Sequence, residues 1–349
     1  MAPSAFMLLC LSVLGLDAIY GFGFRNGFLE LMANSYRGRK LSGTAEPLRG
    51  NITGTGFDEL LGNLIVFYWP VLDGNHPGVS LQAFHFLGAI VAVWVAIQIQ
   101  SWRSPNRNSL LLSPTLFAML SQVVAIAVVV PLWCAIHIWS SSSPSRPMTR
   151  TISDSAVHSI RLIPISMLLG FGVPTIAMLV PDNPHQGFFD KQIAIAVWQI
   201  WPIYVALCHW ALRVLTGPRR NKSISVRTAC REAYTFAFVC AIIPHAVSWG
   251  LSLTLIPTNL LADVSPWQFA GGDTVQVQSM AQGGLWFLQW DHLIGMGSFL
   301  LWAMHMRWTD DKGPSFLQTC YLALKVGVLC LISGLCGAAV WLLWEESQS

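Results

Sequence analysis

Residues 79–100 read VSLQAFHFLGAIVAVWVAIQIQ, a run without a single Asp, Glu, Lys or Arg. About 20 apolar residues in α-helical form match the roughly 30 Å hydrocarbon core of a bilayer, and the run is too long for a strand. The rest of the chain repeats the pattern. Its 349 residues are 54% hydrophobic and 11% charged, with mean hydropathy +0.53, whereas soluble domains carry about 25% charged residues. A soluble globule is therefore excluded.

Similar windows run from Pro3 to Phe22, Leu111 to Trp139, Leu162 to Val180, Ile193 to Leu215, Tyr234 to Leu255, Leu285 to Met306 and Phe316 to Trp344. With residues 79–100 they predict eight spans. A ninth segment, Phe57 to Leu72, is shorter and carries Asp58 and Glu59 near its start, so it crosses only if the bilayer thins, or it is re-entrant. The expected fold is all-α: a polytopic transmembrane helix bundle of eight spans plus one short or re-entrant helix. Residues 1–349 form a single transmembrane domain with no separate soluble domain.

The net charge of +3 matters less than its placement. Arg219, Arg220, Lys222, Arg227 and Arg231 crowd the loop after Leu215, while Pro257 to Gly284 holds no Lys or Arg. By the excess of cations in cytoplasmic loops, the first faces the cytoplasm and the second the lumen or exterior. The N-terminal segment lacks a basic flank and a small-residue cleavage site, so it is expected to stay as a signal anchor. The expected location is an integral, multi-pass position in the endoplasmic reticulum. Eight scattered cysteines show no C-x-x-C pair and are read as small buried hydrophobes.

An ionisable group inside an apolar span costs at least about 2.5 kcal/mol, so it faces the bundle interior and has a partner or a task. Asp291, in Trp286-Phe-Leu-Gln-Trp290-Asp291-His292, lies about 9 Å into its helix at 1.5 Å per residue. It is either a structural partner of Lys325 in the next helix or a buried acid available for chemistry. A second group is Asp58, Glu59, Asn63 and Asp73: steps of four and three from Glu59 place Asn63 and Asp73 on one stripe, flanked by Phe67, Tyr68 and Trp69. These acids either complement a helix start and form a turn or belong to a site. Glu30 reads as the polar side of an interfacial helix, and His85, His137, His209 and His245 as interhelical hydrogen-bonding residues.

Sixteen tryptophans are many for this length. Trp139, Trp308 and Trp344 suit the membrane interfaces, whereas Trp69, Trp286 and Trp290 stand beside acids. Aromatic faces stabilise positive charge, so an acid with sheltering aromatics would suit carbocation chemistry; core packing explains the same residues. Walker, Rossmann, G-x-S-x-G and H-E-x-x-H patterns are missing. So is the D-D-x-x-D cluster that holds magnesium and diphosphate in soluble terpene synthases: Asp310-Asp311 is followed by Lys-Gly-Pro-Ser. No metal and no cofactor is expected, and no nucleic-acid partner.

Two motifs, Trp69-Pro-Val-Leu-Asp73-Gly74 and Trp286-Phe-Leu-Gln-Trp290-Asp291, resemble those of fungal integral-membrane terpene cyclases of meroterpenoid pathways, the ascochlorin/ascofuranone and macrophorin type, with kin in indole-diterpene clusters. The likeness extends over most of the chain in the order and spacing of spans. It implies an enzyme that protonates an epoxide or a terminal olefin of a prenylated aromatic or polyketide small molecule drawn from the lipid bilayer. It then guides ring closure until a final deprotonation. On this resemblance Glu59, Asp73, Asp291 and Asp58 are the candidates for the initiating acid and the terminal base, with Tyr68, Trp69, Trp286, Trp290 and Asn63 around the substrate and its cations. A proton-coupled small-molecule transporter and a non-catalytic accessory protein of a biosynthetic pathway are the competing readings.

Overall fold

The computed structural model describes residues 3–103, 112–141, 154–180, 190–217, 225–254, 275–307 and 315–348. Among them the chain is all-α, with one isolated bridge between Lys40 and Pro47. In chain order the helices are α1 (Pro3–Leu16), α2 (Phe22–Arg25), α3 (Phe28–Arg37), α4 (Asp58–Leu72), α5 (Pro77–Arg103), α6 (Pro114–Val124) and α7 (Ile126–Ser141). They continue with α8 (Asp154–Met167), α9 (Val173–Leu179), α10 (Lys191–Trp198), α11 (Trp201–Thr216), α12 (Val226–Thr254), α13 (Met280–Arg307) and α14 (Phe316–Glu346). Local sequence sets several starts. Ser113 accepts from the Leu116 amide with Pro114 next in line, Asp190 caps α10, and Ser315 with Gln318 forms a capping box on α14.

Five helical stretches are long and apolar enough to cross a membrane, where eight spans were expected: Pro3–Arg25, Pro77–Arg103, Ser155–Leu179, Val226–Thr254 and Phe316–Glu346. The pair α10 and α11, bent by 65°, makes a sixth if taken as one. Two expectations fail for identifiable reasons. The apolar run from Leu111 to Trp139 breaks at Ala125 (φ 76°) into helices of 11 and 16 residues. The helix over Leu285 to Met306 is present and has 28 residues, but Gln282, Gln289, Asp291 and His292 make it more polar than the other five. It serves as an inner helix, packed on α5, α7 and α14. The short segment forms the 15-residue helix α4, about 22 Å long and so shorter than the hydrocarbon core.

Tryptophan use is mainly interior: Trp94, Trp133, Trp198, Trp201 and Trp302 are fully buried. Trp139 is 67% exposed, as an interfacial anchor would be, and Trp344 packs on Trp341; Trp308 lies outside the described residues, as do Asp310, Asp311, Leu111, Leu255 and the cations 219, 220 and 222. The histidines bond between helices. His245 meets His85 at 3.2 Å, the Trp302 indole donates to His137 at 3.3 Å, and His209 meets Ser166 at 3.3 Å.

Helix α14 has the composition of a span but not its shape. Lys325 Nζ donates to Glu345 at 2.5 and 2.7 Å, although 20 residues of straight helix would separate them by about 30 Å. The chain therefore folds back at Gly334, whose φ of 72° and ψ of 174° are non-helical and belong to a region that glycine alone enters at little cost. Both arms end at the same side, where Glu345 also meets Arg307 at 3.7 Å and Glu346 meets Arg103 at 2.9 Å. The turn itself lies against His85 and His245, and the latter ring nitrogen stands 3.1 Å from the Leu331 carbonyl that the break leaves free. A double-mutant cycle of Lys325→Met and Glu345→Gln, read by thermal unfolding in detergent, is expected to give a coupling of about 1–3 kcal/mol; strictly additive effects would mean that the arms lie apart.

Candidate active site

One cavity of about 440 Å³ lies between the N-terminal helices and the inner bundle, lined by residues of α3, α4, α5, α6, α7, α9, α10 and α13. This volume falls within the roughly 300–1,000 Å³ usual for small-molecule sites. Its wall is chiefly apolar and aromatic. Phe67 is the hub: its ring meets Phe28 at 6.3 Å, Tyr68 at 5.0 Å and Phe287 at 4.8 Å between centroids, and Tyr68 in turn meets Trp198 at 5.5 Å. These rings come from α3, α4, α10 and α13, so the aromatic wall exists only once the four helices pack.

Asp291 is the acid of this cavity. It is 4% exposed and lines the wall. Its Oδ1 accepts the Ala127 amide at 2.5 Å, with the Ile126 amide also bonded to the carboxyl. These amides open α7, where the first-turn N–H groups have no partner within their own helix. Asp291 thus caps α7 from another helix, and the break at Ala125 is what exposes that helix start inside an apolar run. The expected alternative, an ion pair with Lys325, is not formed, because Lys325 is engaged by Glu345.

Of the other expected site residues, Tyr68 and Asn63 line the cavity, and Asn63 donates to the Glu59 carbonyl at 2.9 Å. Glu59, Asp58 and Asp73 are not on its wall. Glu59 is exposed. Asp58 accepts from the Thr53 hydroxyl and amide at 2.7 Å each and from the Gly54 amide at 3.0 Å; those bonds, the Thr53 hydroxyl foremost, hold its carboxyl below the usual carboxylate range. Asp73 follows the other end of α4, about 21 Å along the axis from Glu59. One of its oxygens accepts the Asn75 amide at 2.8 Å, and the other is buried without a hydrogen-bond partner, 4.0 Å from His76 Nε2. The three acids therefore do not form a carboxyl pair, and the site in which Glu59, Asp73 and Asp291 converge on one cavity is not assembled. Trp69 is buried in the core, Trp286 packs on Phe22 at 5.9 Å, and Trp290 packs on the small cluster around Ala18 and Ile294.

The wall also holds Phe67, noted in the sequence as a flanking aromatic, and residues that sequence reasoning passed over: Tyr20, Ser121, Gln122, Trp198 and Phe287. A signal existed for Gln122, the one amide side chain in the run from Leu111 to Trp139, where polar groups are costly. None existed for Trp198 and Phe287, since any core would use such aromatics.

The described geometry defines a helical protein with a buried carboxyl in an aromatic chamber. Over residues 4–348 the chain matches the CtvD domain family and belongs to it. It is 86% identical, over the full length of both chains, to terpene cyclase ctvD of Aspergillus terreus. More distant relatives include terpene cyclase ascI of Acremonium egyptiacum, 26% identical over 96% of this chain and 89% of that one, and terpene cyclase penA of Penicillium crustosum, 26% identical over 97% and 94%. No solved structure matches the chain.

Replacing Asp291 tests the cap separately from any chemistry. Asp291→Asn keeps an oxygen for the Ala127 amide, whereas Asp291→Leu leaves the start of α7 unpaired. Thermal unfolding in detergent is expected to show Leu less stable than Asn by about 1–3 kcal/mol.

Proposed function

We propose that this protein is a membrane-embedded, multi-pass terpene cyclase of the endoplasmic reticulum, folded as one domain. It protonates an epoxide or terminal olefin of a prenylated aromatic or polyketide precursor and steers the resulting carbocation through ring closure, without a metal or cofactor. The observation that carries this reading is the buried carboxyl of Asp291 facing a cavity walled by Phe67, Tyr68, Trp198 and Phe287, in a chain whose relatives are named terpene cyclases.

In its acid form Asp291 gives a proton to the substrate end held beside it, and the amides of Ile126 and Ala127 then stabilise the carboxylate by hydrogen bonding. As positive charge moves along the prenyl chain, the surrounding ring faces stabilise it through their quadrupoles. The apolar wall keeps water from quenching the cation early. Several wall residues, Phe84, Val123 and Leu179 among them, are also exposed at the apolar outer surface, which suits a substrate entering sideways from lipid. Glu59, Asp58 and Asp73, off the cavity wall, act at its periphery, and the buried free oxygen of Asp73 makes it the stronger of these for a proton-accepting role.

Microsomes bearing the protein are to be incubated with prenylated precursors in epoxide and olefin forms. Asp291→Asn is expected to lower cyclised product by about 100-fold or more, and Glu59→Gln and Asp73→Asn by less. Undiminished product from Asp291→Asn at equal protein level would refute the assignment.

A further inference from the structure

Two phenols stand on the cavity wall, Tyr20 and Tyr68, and the Asp291 carboxyl interacts electrostatically with both. Their hydroxyls differ. That of Tyr20 is committed to the Val123 carbonyl at 2.8 Å. That of Tyr68 has no hydrogen-bond partner among the described residues, yet it is not sealed from accessible space; since the residue lines the cavity, that space is the cavity. The serine hydroxyls of the wall are engaged as Tyr20 is: Ser80 donates to the Val71 carbonyl and Ser121 to the Ala118 carbonyl, each at 2.7 Å. Tyr68 therefore carries the one wall hydroxyl left without a protein acceptor among the described residues. Packing fixes where it stands. The Tyr68 ring meets Phe67 at 5.0 Å and Trp198 at 5.5 Å, edge to face in both cases. Phe67 in turn meets Phe287 at 4.8 Å, and Asp291 follows Phe287 by four residues, one turn along the same face of α13. Packing alone would be served by phenylalanine at position 68. A hydroxyl without a protein partner, set in an aromatic wall, is unfavourable unless water or a ligand bonds it.

We infer that the Tyr68 hydroxyl donates a hydrogen bond to the substrate oxygen that Asp291 protonates, so that one oxygen is held from α4 and α13 together. The inference rests on the reading of Asp291 as the initiating acid. An epoxide oxygen has two lone pairs: one accepts from Tyr68 and the other takes the proton of the Asp291 carboxyl. The bond from that oxygen to the more substituted carbon breaks with its electron pair going to oxygen, and a hydroxyl results. A neighbouring double bond captures the carbon cation, and the last cation of the cascade loses a proton to a base. Tyr68 keeps its own proton throughout. Its hydrogen bond strengthens while electron density gathers on the oxygen, which is where a positioned donor accelerates a reaction. An olefin end offers no lone pair, the proton goes to carbon, and Tyr68 contributes only its ring face. A site built to hydrogen-bond a substrate group discriminates against an analogue without it, so the Tyr68 hydroxyl favours the oxygenated end.

The test is Tyr68→Phe, which removes the hydroxyl and keeps the ring with its contacts to Phe67 and Trp198, assayed in microsomes at matched protein level beside Asp291→Asn. The epoxide precursor is the substrate, and its deoxygenated olefin analogue is read as a substrate or as a competitive inhibitor. The expected result for Tyr68→Phe is a loss of about 10- to 100-fold in kcat on the epoxide, with the turnover or inhibition constant of the olefin unchanged and thermal unfolding in detergent unchanged. Equal losses on both compounds would show a packing role and overturn the proposal. So would full epoxide turnover by Tyr68→Phe while Asp291→Asn is inactive. An active Asp291→Asn would instead overturn the reading of the site on which the proposal stands.

Discussion

The bond between the Asp291 carboxyl and the Ala127 amide joins two requirements that would otherwise conflict. A helix that starts inside an apolar bundle must pair its first amides, and a carboxyl buried there must be hydrogen-bonded or paired. The break at Ala125 supplies the amides and the inner helix α13 supplies the carboxyl. Because α7 also packs on α1 and α13, this one contact fixes the corner from which Ser121, Gln122 and Ile126 look into the cavity. Chemistry and architecture share the same side chain, which is why substitutions at Asp291 have to be read for both.

A second constraint acts at the other edge of the bundle. Helix α14 folds back at Gly334, so its charged end residues cluster with those closing α5 and α13: Lys325, Arg307 and Arg103 against Glu345 and Glu346. Lys325 and Glu345 are 21% and 22% exposed, dry enough that a lone partner would be costly. Pairing these ions at one end leaves the turn at Gly334 against the imidazoles of His85 and His245. The sequence shows Lys325 as an isolated cation in an apolar run, which made Asp291 look like its partner. Only the reversal of the chain shows otherwise.

The site was partly legible. Asp291 stood out because a carboxylate in an apolar helix is expensive, Asn63 followed from helical spacing and Tyr68 from its place beside that stripe; all three line the cavity. Spacing failed for Glu59 and Asp73, since a shared stripe says nothing about distance along the axis, and 14 residues of helix hold the two about 21 Å apart. It failed too for Trp69, Trp286 and Trp290, whose position beside an acid in sequence turns into packing elsewhere: Trp69 in the core, Trp286 on Phe22 and Trp290 on the cluster around Ala18. The aromatic wall is made by Phe67 and Tyr68 with Trp198 and Phe287, and the last two carry no local mark because their role depends on which helices meet.

By itself the sequence determined that the chain is helical and apolar, because composition and the length of uncharged runs act locally and survive any packing. It determined where the expensive polar residues lie and that Asp291 is among them. Tertiary structure decided what those residues do. It turned one apolar run into two helices at Ala125, folded another back at Gly334, gave Lys325 to Glu345, and set Asp291 against the start of α7. Each of these depends on a backbone reversal or a cross-helix bond, and hydropathy averages over both.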